Sequence, residues 1–89
     1  MTYNNFLSES MHAIRSQAPT VDDAEGLHRW LLSIGELLNA IRQDVEQVRY
    51  TEHCIGMLIA VYNVSPVSAR TCLQHARNEA AALWPKVGA

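Results

Sequence analysis

An 89-residue chain with a formal net charge of −2 has room for one domain and too few cations for a dense nucleic-acid footprint. Its 48% apolar share, with only three prolines and four glycines, argues against disorder or an all-turn chain. A chain this short buries only about 60 to 65% of its unfolded surface, which makes association a welcome source of stability.

Phe6, Leu7, Met11 and Ile14 recur at helical spacing and predict a short amphipathic helix over residues 5–17, ending before Pro19. Thr20 with Asp23 three positions on resembles a capping box, and Asp22, Asp23 and Glu25 suit the positive end of a helix dipole, so a long helix is expected from residue 21. Leu27, Leu31, Ile34, Leu38, Ile41, Val45 and Val48 then follow at alternating steps of four and three. Such a heptad stripe cannot be satisfied by a lone helix in water. Trp30 and Leu37 widen it in its first half. These residues together form the expected oligomerisation or partner-binding face.

The long helix is expected to reach Tyr62, running on or bending near residues 52–56, where Glu52 interrupts the stripe and Gly56 follows. Asn63 is a C-terminal stop, and Ser65 with Pro66 gives the N-cap and first position of a last helix over residues 66–84, which Pro85 ends. Val67, Cys72, Leu73, Ala76, Ala80 and Leu83 make its apolar side, while Arg70, Gln74 and Arg77 share a polar one. The architecture expected is all-α: a short N-terminal helix, a long heptad-bearing helix and a helix-turn-helix-like C-terminal end, joined in an oligomeric helical bundle. A homodimer is the default oligomer.

Charge is unevenly spread: residues 1–52 carry four basic and eight acidic side chains, residues 53–89 three and one. Cys54 and Cys72 are the only cysteines, and no N-terminal stretch joins basic residues to an uninterrupted apolar run, so the expected setting is cytoplasmic. The charge-poor segment from His53 to Ala69 is too short and too interrupted for a membrane span. Cys72 and His75, with His53 or Cys54, form the nearest approach to a metal set. Small thiols on an apolar stripe read better as core, however, and neither a metal nor a cofactor is expected. Phosphate loops are absent and the histidines are scattered, so the chain is expected not to be an enzyme.

Arg70, Gln74 and Arg77, with Arg49 and Lys86, make the best polar recognition face in the sequence. From Arg49 to Ala76 the chain also resembles the ANTAR family of helical RNA-binding antiterminators. Arg49, Glu52, Gly56, Leu58, Ala60, Val64, Ser65, Ala69, Leu73 and Ala76 stand where that family's pattern has the same types. Ile55, Arg70 and Gln74 stand where it has a lysine, an aromatic and an arginine. The resemblance implies a regulatory module of gene expression that contacts structured RNA in transcription antitermination. The competing expectation is an adaptor or inhibitor that offers its heptad face to the helices of a regulatory protein and touches no nucleic acid. A structural subunit of a larger helical assembly would use the same face.

Overall fold

A computed structural model of the chain describes residues 9 and 12–83. Within them the protein is all-α, with no strand. Residues 12–16 are helical, inside the expected first helix. Phe6, Leu7 and Met11 lie outside the described residues. Three longer helices follow, α1 (Ala24–Ala40), α2 (Asp44–Tyr62) and α3 (Pro66–Leu83). Trp84 and Lys86 also lie outside the described residues.

The first long helix begins three residues later than expected, because Asp23 is itself the N-cap. Its carboxylate accepts the Gly26 N–H at 2.9 Å, and the Asp23 N–H donates to the Thr20 carbonyl at 3.1 Å. The larger difference comes at residues 41–43. One helix was expected over 21–62, with any bend near 52–56; instead the chain turns after Ala40, and α2 starts at Asp44 and continues unbroken through Glu52 and Gly56. Ile41 leaves the helix in an extended conformation, its N–H still donating to the Leu38 carbonyl at 3.2 Å. The Gln47 side-chain amide reaches back to the Leu38 and Ile41 carbonyls at 3.2 and 3.3 Å, supplying donors that a continued helix would have provided.

The physical reason for the turn is burial. Folding α2 back lets Tyr50, Cys54, Ile55, Met57 and Leu58 join Trp30, Ile34, Leu38 and Ile41 around Ala69 and Leu73 of α3, forming one core within one chain. Helices in proteins owe most of their stability to such packing, so a favourable core overrides an uninterrupted helical sequence. A single continuous rod would leave these faces waiting for another molecule.

The other end of α2 follows local chemistry. Asn63 adopts the left-handed conformation (φ 54°, ψ 41°), its N–H donating to the Ile59 carbonyl, and the Ser65 hydroxyl accepts the Ser68 N–H at 3.1 Å to open α3 at Pro66. Along α3, Leu73, Ala76 and Ala80 are buried as expected and Cys72 half-buried, but Val67 and Leu83 are exposed. They lie at the two ends of the helix. Small residues set the approach of α1 to α3: a Cβ on Gly35 would lie 2.7 Å from the Ala76 carbonyl oxygen and 3.0 Å from the Arg77 nitrogen.

The N-terminal stretch is tied to this core by two side chains. The Trp30 indole N–H donates to the Ile14 carbonyl at 2.8 Å, and the Tyr62 hydroxyl donates to the Pro19 carbonyl at 2.7 Å. The two rings meet edge to face at 5.9 Å. Ile14 packs against the same cluster, so the first helix does join the bundle through Trp30.

Candidate interaction surfaces

The heptad residues do not form one face of one rod. Ile34, Leu38 and Ile41 are buried in the chain's own core, as is Trp30, and Leu37 is half-buried against it. Val45 and Val48, past the turn, are 79% and 61% exposed. The reading of all these residues as a continuous intermolecular seam is therefore corrected: α3, rather than another molecule, satisfies the first part of the stripe. Leu27 and Leu31 are the half-buried remainder, and they line something else.

That feature is an apolar cleft of about 260 Å³ between α1, α2 and α3. Leu27 and Leu31 form one wall, Leu58 and Tyr62 the floor, and Ala69 and Cys72 the far wall, with Val21 and Val64 at the rim. Ser68 supplies a hydroxyl on the α3 side. Each rim valine is placed by a specific contact: the Tyr62–Pro19 hydrogen bond holds the loop bearing Val21, and the left-handed turn at Asn63 presents Val64. Partial burial raises the Tyr62 phenol on the floor and the Cys72 thiol on the far wall above their ordinary pKa values, so both groups are uncharged near neutral pH. Among the cleft residues, only Leu27 and Leu31 belong to the face expected from the sequence. Val21 gave no signal, being a lone apolar residue between polar Thr20 and Asp22, outside any period.

The second surface is a polar groove of about 670 Å³ where the α1–α2 turn faces α3. Gln74 and Arg77 line it, joined by Arg42, Asn39 and Gln47, which sequence reasoning did not select. Asn39 clamps Arg77, accepting from its guanidinium Nε at 2.8 Å and donating to its backbone carbonyl at 2.9 Å. Glu36 and Asp44 line the groove too, so its acidic and basic side chains balance. The remaining recognition residues stand apart. Arg70 pairs with Glu52 at 2.9 and 3.3 Å, joining α3 to α2. Arg49 lies 3.7 Å from Glu46 and over the Tyr50 ring at 5.4 Å. Lys86 lies outside the described residues. Among the described residues, the expected recognition face is thus brought together only at Gln74 and Arg77.

Cys54 is fully buried, and burial pushes its thiol up to about 12, which keeps it protonated and unreactive at neutral pH. Among the described residues, no three His, Cys, Asp or Glu side chains are grouped so as to hold a metal ion, and no helix is long and apolar enough to cross a membrane. No family model, curated protein or solved structure matches this chain.

Proposed function

We propose that the chain is a non-enzymatic protein-interaction module that receives an apolar segment of a partner in the cleft lined by Leu27, Leu31, Leu58 and Tyr62. The observation carrying this reading is the lining itself: an open apolar cleft with Val21 71% and Val64 36% exposed at its rim is the kind of surface that anchors side chains of an amphipathic helix. The charges point the same way. Arg49 and Arg70 each face a carboxylate, and phosphate binding needs cations that are not already neutralised. Val21→Asp and Val64→Asp test the reading, since both change exposed residues at the rim and leave the core intact. A partner captured from cell lysate by the wild-type chain after ribonuclease treatment should be lost with either variant. Unchanged capture by both would end this reading.

A second reading, the ANTAR-like module contacting structured RNA, rests on Arg42, Gln74 and Arg77 sharing one groove, where Glu36 and Asp44 offset their charge. It predicts retention on an RNA matrix at low salt that Arg42→Ala together with Arg77→Ala abolishes.

A further inference from the structure

The turn between α1 and α2 is held by remote packing and one side chain, while the local sequence favours a helix. Ala40, Ile41, Arg42 and Gln43 include neither glycine nor proline, and none occurs from Glu36 to Ile55. The heptad spacing runs across the turn without a slip, from Leu38 and Ile41 to Val45 and Val48. Gln43 makes no side-chain capping bond to α2, and two carbonyls at the turn, those of Leu38 and Ile41, are met by Gln47. In a continuous helix those carbonyls would take the Arg42 and Val45 N–H groups instead. α1 packs chiefly on α3, so opening the turn would carry α1 away while leaving the α2–α3 pair joined through Glu52 and Arg70.

We propose that this chain forms a homodimer by exchange: α1 and α2 straighten into one rod, and α1 of each copy packs on α3 of the other. The contacts α1 makes with α3 in the monomer are remade between copies, including the close approach of Gly35 to Ala76 and the Asn39–Arg77 clamp, while the Gln47 bonds to the turn are given up. The exchange also adds an interface that the monomer lacks. Ile41, Val45 and Val48 come into line on the rod and meet the same residues of the second copy about the two-fold axis, covering valines that are 79% and 61% exposed in the monomer. A connector of three residues between helices is the kind of short hinge at which such exchange occurs.

Two substitutions push the equilibrium in opposite directions. Asp44 is the first residue of α2, and Gln43 before it is already extended (φ −85°, ψ 122°), so Asp44→Pro fits the turned chain. Inside a straight rod the same proline costs roughly a hundredfold in equilibrium constant for each of the two helices. Gln47→Ala removes the amide that satisfies the turn and nothing that the rod needs. The full-length wild-type chain and both variants are refolded from guanidinium at low and at high protein concentration and sized by light scattering. The dimer peak is then diluted and followed over time.

Wild type should yield dimer only from concentrated refolding, and that dimer should persist after dilution, because release requires α1 to leave α3. Gln47→Ala should raise the dimer fraction several-fold. Asp44→Pro should stay monomeric with wild-type helicity. Three results overturn the proposal: a wild type monomeric at every concentration, a dimer that falls apart on dilution, or an Asp44→Pro chain that dimerises like wild type. Should Gln47→Ala fail to fold, wild type against Asp44→Pro decides.

Discussion

Gly35 and Gly56 are both helical, and their surroundings assign them opposite roles. At Gly35 an added methyl group would meet the Ala76 and Arg77 backbone, which cannot swing aside as a side chain would. Gly35→Ala should therefore destabilise the fold by about 1 to 3 kcal/mol, as α1 is forced off α3. Nothing lies within 4 Å of the position a Cβ would take on Gly56, which is exposed in the middle of α2. Gly56→Ala should stabilise by about 0.5 to 1 kcal/mol through the helix preference of alanine alone. Urea unfolding midpoints of the two variants, moving in opposite directions, check both. Cys54 supplies the pH dependence. Its thiol is held protonated up to about 12 in the fold but ionises near 9.0 once exposed, so its contribution is fully present below pH 9 and declines as pH rises through 12. Across that window the wild type should lose about 1.4 kcal/mol per pH unit more than Cys54→Ala, read from unfolding midpoints at several alkaline pH values.

Among the helices, the ends at the α2–α3 junction were legible in the sequence because local chemistry dictates them, whereas the equally local start of α1 was placed three residues early, at Thr20 and not at its true cap, Asp23. Asn63, Ser65 and Pro66 each act within three or four residues of themselves, through a left-handed φ, a hydroxyl cap and a ring that presets the first turn. Ser65→Ala should accordingly cost about 0.5 to 2 kcal/mol, visible as a lowered melting temperature with the α2–α3 pair still formed. The end of α1 carried no such mark. Its signal is the amide of Gln47, six residues past Ile41, and its cause is the burial of Tyr50, Cys54 and Leu58, which no window around Ala40 contains. Gln47 in an unbroken helical pattern reads as a solvated residue until the turn is known.

For the whole molecule, the ambiguity lay in the heptad pattern itself. Apolar residues at alternating steps of four and three mark one side of a helix, and that side is equally satisfied by a second chain or by another helix of the same chain. The periodicity therefore showed that Ile34, Leu38 and Ile41 must be covered but not by what. The candidate cleft was less legible still, since it is assembled from a loop valine, a turn valine and three helices that only the tertiary fold brings together. The two ways of covering the stripe differ in what a charge does along it. In a purely intermolecular coil, Leu38→Asp and Val48→Asp would act alike, each releasing a folded monomer. In this bundle, Leu38 is fully buried and Val48 61% exposed. Leu38→Asp should therefore unfold the chain at any concentration, because a buried aliphatic contributes about 1.5 to 3 kcal/mol and an unpaired carboxylate in its place costs more. Val48→Asp should leave the monomer's melting temperature unchanged within about 0.5 kcal/mol of stability, since exposed positions away from special contacts rarely matter more. It should at the same time suppress the exchanged dimer, where the same valine is covered. Circular dichroism on both variants at dilute concentration, followed by light scattering on Val48→Asp after concentrated refolding, separates the intramolecular role of the stripe from its intermolecular one.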